Sequence, residues 1–157
     1  MNSLKKLIFN IEKTINKNII NKNVIHVKSI LKQYNGNDWM EYISPSNNYK
    51  KKLIYENELF ELFVITWMPK SNSKIHDHSE NGCLFKILNG ELSEYFYNKN
   101  IELTNKQNYK KNIIGFIENN KGYHKITNET KNITVSLHLY SPPKYKMNIY
   151  ETKNNIL

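Results

Sequence analysis

Ile75-His76-Asp77-His78-Ser79-Glu80-Asn81-Gly82-Cys83, followed by the apolar run 84–88 and closed by Gly90, decides how the rest of the chain is read. A second apolar run, 59–67, precedes it, and both runs read as strands. Side chains two residues apart on a strand point to one face. The spacing therefore aims His76 and His78 at one point and turns Asp77 the other way. Two neutral nitrogen ligands on a stiff backbone suit a metal ion, with a third ligand to come from elsewhere. A chance histidine pair beside a turn fits the same pattern, and the segment by itself leaves both readings open.

Outward from this segment the chain divides in two. Beyond Pro45, and clearly from Leu53, short β-branched and aromatic runs alternate with turn residues. Strands are predicted over 60–67, 84–88, 91–97, 113–117, 124–127 and 133–140, with turns at Asn89-Gly90 and 119–122. This texture predicts a β-sandwich or small barrel. Before it, Leu4, Leu7, Ile8, Ile11 and Ile15 have the spacing of a helix with one buried face, and Ser3 is placed to cap it. Val24, Val27, Ile30, Leu31 and Tyr34 predict a second helix ending near Asn35-Gly36. A short turn from Asn37 or Asp38 carries Trp39 and Tyr42 inward. One domain is expected over 1–157: a helical part at 1–44, the β part at 45–145, and a polar tail at 146–157 that frays.

The net charge of +9 invites a nucleic-acid reading. The chain has no arginine, however, and all 23 basic residues are lysines spread along the sequence. Arginine is the residue for bidentate phosphate and base contacts. A solvated basic surface, with no nucleic-acid partner, is the better account. No apolar run approaches the roughly 20 residues of a membrane span, so no membrane partner is expected. The N-terminus lacks a signal-peptide pattern, and the single cysteine, Cys83, excludes an internal disulfide. A soluble, cytoplasmic monomer is expected.

Two further histidines bear on a site. His124 opens a predicted strand after Gly122, a suitable place for a ligand and equally for a surface histidine. Ser136, His138 and Tyr140 alternate with Val135, Leu137 and Leu139, so the polar set shares one face. Three hydrogen-bonding groups on one face either line a polar cavity or meet solvent, because a dry and unpaired face is costly. Ser141-Pro142-Pro143 ends the strand. His26 falls in the helical part and reads as structural or exposed.

Three blocks together resemble the cysteine dioxygenase family. They are Trp67-Met68-Pro69 with His76-Asp77-His78 and Cys83 through Gly90; Ile117 through Asn128, with its His124-x-x-x-Asn128 spacing; and Val135 through Pro143. The resemblance covers roughly residues 3–145. It implies a mainly β fold, a small jelly-roll-like cupin barrel with an N-terminal pair of helices. It further implies one non-haem Fe(II) held by His76, His78 and His124, and oxidation of L-cysteine by dioxygen to cysteinesulfinic acid. Most cupins carry a glutamate where Cys83 stands. Three neutral imidazoles leave the metal its full charge, which favours a thiolate ligand. In relatives that have this cysteine, it forms a thioether to the tyrosine matching Tyr140. By the same resemblance Ser136 and His138 support Tyr140, and the Ser141–Pro142 bond is cis.

The chain departs from the family pattern at the substrate carboxylate. A Tyr-x-Arg-x-Leu segment is matched here by Tyr49-Lys50-Lys51-Lys52-Leu53, so Tyr49 and Lys51 are the expected substrate contacts, with Lys50 and Lys52 as alternatives. Lysine offers a point charge without the bidentate fork. Another small thiol, cysteamine or a mercapto-acid, is therefore a second substrate reading. A metal-binding cupin without turnover, acting as sensor or scaffold, is a rival from a different class. Lys70 replaces the glycine that usually opens the first block, which affects a turn more than the chemistry.

Overall fold

The computed structural model describes residues 2–17, 23–118 and 121–152. The predicted turn at Asn119-Asn120 and the tail beyond residue 152 lie outside the described residues.

Helix α1 (Leu4–Lys17) buries the stripe Leu4, Leu7, Ile11 and Ile15. Ser3 caps it as expected, its Oγ accepting the Lys6 N–H at 3.3 Å. Asp38 adds a second acceptor, taking the Leu4 N–H at 2.6 Å. The predicted second helix splits into a 3-10 turn (Val24–Val27) and α2 (Lys28–Gln33). Gly36 does not cap α2, because Tyr34 already leaves it in extended conformation. The buried Lys86 amine does so instead, donating to the carbonyls of Leu31 (3.2 Å), Lys32 (3.0 Å) and Tyr34. Carbonyls at a helix C-terminus lack intrahelical partners and carry partial negative charge, which suits an ammonium group. Asp38–Tyr42 forms the expected third turn, with Trp39 buried.

The β part comprises β1 (Tyr49–Glu56), β2 (Glu61–Trp67), β3 (Ile75–His76), β4 (Cys83–Asn89), β5 (Glu91–Tyr97), β6 (Leu103–Lys110), β7 (Ile114–Ile117), β8 (Tyr123–Thr127), β9 (Thr134–Tyr140) and β10 (Ile149–Tyr150). They build two five-stranded antiparallel sheets, ordered β1-β2-β9-β4-β7 and β10-β3-β8-β5-β6. The first sheet is covered on both faces. Leu62, Val64, Leu84, Val135, Leu137 and Leu139 pack against α1, α2 and the 3-10 turns. Ile65, Trp67, Phe85 and Ile87 turn the other way and meet Leu92, Tyr109 and Ile126 of the second sheet. Each such side chain contributes about 1.5–3 kcal/mol by leaving water. The mainly β expectation with N-terminal helices holds.

Four features differ from the sequence reading. Strands β1 and β6 each form one edge of a sheet, and lysines and asparagines on their open faces hid them; of β6 only Tyr109 is buried. Ile113 lies outside β7 and is exposed. The tail does not simply fray: Ile149 pairs with His76 and Tyr150 with Ile75. Finally, β3 stops at His76, so His78 leaves the strand and its direction is set by the loop that follows. Lys70 takes up a glycine-like φ of 62°, and the Ser141–Pro142 bond is cis, as expected.

Candidate active site

Strands β3 and β8 are hydrogen-bonded neighbours with His76 directly opposite His124. The pairing brings the two Nε2 atoms to 3.0 Å. Two nitrogens each about 2.1 Å from one shared ion, at roughly right angles, stand at such a separation. His78 comes in from the loop after β3, its ring centroid 4.1 Å from that of His124 and 5.5 Å from that of His76. One ligating nitrogen from each ring lies within 4.8 Å of the others, and all three residues are buried. Asp77 turns away from the cluster, as the spacing predicted, and accepts from the Asn148 N–H (2.8 Å), Asn148 Nδ2 (2.7 Å) and the Tyr150 hydroxyl (3.2 Å).

The three rings are neutral and have lone pairs to offer. Burial lowers the pKa of all three below the usual histidine range, strongly for His78 and His124, which also feel the neighbouring imidazoles. His76 Nδ1 stands 2.8 Å from the Lys74 carbonyl, so that nitrogen carries the proton and Nε2 is bare. His124 Nδ1 stands 2.5 Å from Glu94 Oε1, with the same consequence for its Nε2. Among the described residues His78 has no hydrogen-bond partner for either ring nitrogen although both are buried. An unpaired buried polar atom is costly, and a cation bound among the three nitrogens removes that cost. The donor set therefore fits a nitrogen-preferring transition metal.

The face of the first sheet that meets this cluster carries the other predicted residues. Cys83 lies directly opposite Tyr140 across β4 and β9, and both are buried against Ile117, Phe63 and Phe96. Burial pushes the Cys83 thiol and the Tyr140 phenol above their usual ranges, each assisted by neighbouring acidic groups and opposed at Cys83 by Lys51. Lys51 is the lysine of β1 that turns inward; Lys50 and Lys52 are exposed. Its Nζ sits 4.9 Å from the centroid of the Tyr140 ring and 5.8 Å from that of Phe63. Burial lowers its pKa, and Cys83 and Glu61 pull it back up. Tyr49 stacks on Trp67 with centroids 4.8 Å apart.

Ser136, His138 and Tyr140 do line the buried interior rather than meet solvent. Trp67 Nε1 donates to Ser136 Oγ at 2.8 Å, Ser136 Oγ lies 2.8 Å from His138 Nε2, and His138 Nδ1 lies 3.3 Å from the Tyr140 hydroxyl. Burial keeps His138 neutral, so one of its ring nitrogens carries a proton and the other accepts. Tyr140 and Cys83 are hydrogen-bonded to each other across the two strands.

Two contributors escaped the sequence reading. Trp67 was visible only as part of a motif, and its role as donor depends on register with Ser136. Glu94 shares the inward parity of β5 with Leu92 and Phe96, and a carboxylate at an apolar position was the available signal.

Comparison with known proteins agrees with this geometry. Solved structures similar to the chain include a double-stranded β-helix domain protein from Klebsiella pneumoniae (TM-score 0.60, 18% identity, 72% of this chain and 94% of that one). A cupin superfamily protein from Desulfitobacterium hafniense is also similar (TM-score 0.52, 12% identity, 63% and 82%). These likenesses establish the cupin fold. In sequence, cysteine dioxygenase type 1 of Rattus norvegicus is 32% identical over 132 residues, and that of Danio rerio 30% over 133, each match covering 77% of this chain. The chain spans 66% of the length of these curated relatives. The family model for cysteine dioxygenase type I matches residues 1–153. With its histidine triad set in a cupin fold, the chain belongs to the cysteine dioxygenase type I family.

Proposed function

We propose that this chain is a thiol dioxygenase that converts L-cysteine and dioxygen to cysteinesulfinic acid, with Fe(II) held by His76, His78 and His124. The observation that carries the reading is the convergence of three buried, neutral imidazoles beside an interior wall that holds Cys83, Tyr140 and Lys51. When bound, the iron favours the thiolate form of the substrate and supplies the redox chemistry for dioxygen.

The chain's own residues do the rest. Lys51 offers a cation to the substrate carboxylate, and Tyr49, stacked on Trp67, lies on β1 at the same inward parity. Phe63, Phe96 and Ile117 exclude water around the Cys83–Tyr140 pair, strengthening every electrostatic contact inside. His138 Nδ1, 3.3 Å from the Tyr140 hydroxyl, fixes the place of that oxygen in the pocket. Both oxygen atoms end on the substrate sulfur, and a reducing compartment that keeps the thiol free suits the reaction.

Lys51 also supports a second reading in which the thiol is cysteamine or a mercapto-acid, because a lysine lacks the bidentate grip on a carboxylate. Iron-loaded protein, supplied in turn with cysteine, cysteamine and mercaptopropionate, tests both readings by oxygen uptake and by chromatography of the product. Sulfinate formation fastest with cysteine supports the first, and a preference for another thiol supports the second. No oxygen uptake with any thiol refutes both and favours a binding role without turnover.

A further inference from the structure

Glu94 has no part in the proposed chemistry, yet its placement is costly. The carboxylate is fully buried, on a face of β5 whose neighbours are Leu92 and Phe96. Burying a carboxylate is expensive unless a partner compensates. Its Oε1 approaches His124 Nδ1 at 2.5 Å, a contact between strands placed by the β5–β8 register, in which Phe96 faces His124 and Glu94 lies diagonally across.

The three histidines are thus backed unequally. His124 has a carboxylate behind it, His76 has the neutral Lys74 carbonyl, and His78 has no hydrogen-bond partner among the described residues. The three candidate ligands are all neutral imidazoles, so the set of direct ligands has no negative charge. We propose that Glu94 is a positioning residue for the metal. It holds His124 in the tautomer with a bare Nε2 and makes that imidazole the strongest donor. It also brings negative charge to the site, one hydrogen bond behind the ligand, where the three imidazoles themselves carry none. Outer carboxylates behind ligating histidines commonly change metal affinity by roughly 10–100-fold. The inference rests on the metal reading of the triad.

Glu94→Gln separates charge from shape: glutamine keeps the volume and accepts the same N–H, but carries no charge. Co(II) titration followed by visible absorption gives the affinity, and electrochemistry of the iron-loaded protein gives the Fe(III)/Fe(II) potential. A Co(II) dissociation constant raised by roughly 10–100-fold in Glu94→Gln, together with a higher iron potential, supports the inference. A packing role does not predict that direction of potential. Thermal unfolding of the metal-free protein checks that the variant is folded. Glu94→Asp, which retains charge but withdraws it from His124, is the second variant, with an intermediate affinity expected. Unchanged affinity and potential in the folded variants overturn the inference even when the wild type oxidises cysteine. A wild type that binds Co(II) with this dependence on Glu94 but oxidises no thiol sinks the proposed function and leaves Glu94's role standing. A wild type that binds no Co(II) overturns both.

Discussion

Cys83 and Tyr140 are direct cross-strand partners on β4 and β9, and both side chains face the same buried pocket. Side chains so paired have Cβ atoms about 4.5–5.5 Å apart, within reach of a bond from Sγ to the ring carbon beside the phenol oxygen. Forming that thioether removes the thiol hydrogen and one ring hydrogen, and the two electrons and two protons go to dioxygen. Intact-protein mass spectrometry after incubation with iron, cysteine and oxygen is expected to show a loss of two hydrogen atoms. Neither Cys83→Ser nor Tyr140→Phe should show it. An unchanged wild-type mass alongside active turnover rules the bond out.

Lys51 stands apart from its two lysine neighbours because β1 alternation turns it alone toward Tyr140. Removing a hydrogen bond to a charged group costs about 1.5–3 kcal/mol. Lys51→Met should therefore lower kcat/KM for cysteine by roughly 10–100-fold, mainly through KM. The rate with cysteamine, which has no carboxylate, should change little. Lys51→Arg restores a fork and should tighten cysteine binding. Equal losses for both thiols in Lys51→Met would show that the lysine serves the pocket rather than the carboxylate.

The strand that supplies His76 is also held from behind. Asp77 accepts three hydrogen bonds from Asn148 and Tyr150, and Tyr150 stacks on Tyr123 of β8 with centroids 3.9 Å apart. The tail thereby clamps β3 onto β8, the two strands whose pairing sets the His76–His124 contact. Asp77→Ala should destabilise the fold by about 1–3 kcal/mol. Amide protection at Ile149 and Tyr150 should fall in hydrogen exchange before that of β2, β4 or β9. Retained protection of these two amides would show that β-pairing alone holds the tail.

How far the sequence revealed this arrangement depended on where each partner lay along the chain. The alternation of β9 is local and was visible as a period of two; the His76-x-His78 pair was visible as a local spacing, although the loop after β3, not a strand period, aims His78. His124 stood out as a histidine at a strand rim after Gly122, equally a ligand or a surface residue, and the resemblance chose the ligand, because strand order rather than sequence distance brings it opposite His76. The edge strands β1 and β6 hid behind their own solvent-facing lysines and asparagines. Glu94's contact with His124 and Lys86's contact with α2 depend on register and on three-dimensional docking, and no local pattern encodes them. Asn35-Gly36 suggested a helix cap by composition, yet a lysine more than fifty residues later takes that role.

Lys86 makes a stability prediction from that substitution of roles. Its amine satisfies three C-terminal carbonyls beneath the first sheet. Lys86→Met fills the space with a side chain of similar length but takes this donor from the Lys32 and Tyr34 carbonyls, while the Leu31 carbonyl keeps the Tyr34 N–H. Unsatisfied buried groups cost about 1–3 kcal/mol each, with partial recovery by water. A loss of about 2–4 kcal/mol in denaturant unfolding is expected, with activity per folded molecule preserved. A neutral effect would mean that α2 finds another cap.

Glu129 should make the fold sensitive to acid. Its carboxylate accepts from the Tyr95 hydroxyl, from Lys106 Nζ (2.9 and 3.0 Å) and from Ser93 Oγ (2.9 Å), tying β5, β6 and the loop after β8 together. These contacts, that of Tyr95 first, outweigh burial and depress its pKa from 4.5 to about 2. A carboxyl whose pKa is lower in the folded state stabilises the fold fully above the unfolded value and loses that stabilisation as pH falls through the folded one. The window for Glu129 therefore runs from pH 4.5 down to about 2. Glu129→Gln should be less stable than wild type at neutral pH, and the two unfolding curves should converge across that window. With both partners about two-fifths exposed, high salt should narrow the difference. Parallel curves across the whole acid range would remove Glu129 from the account.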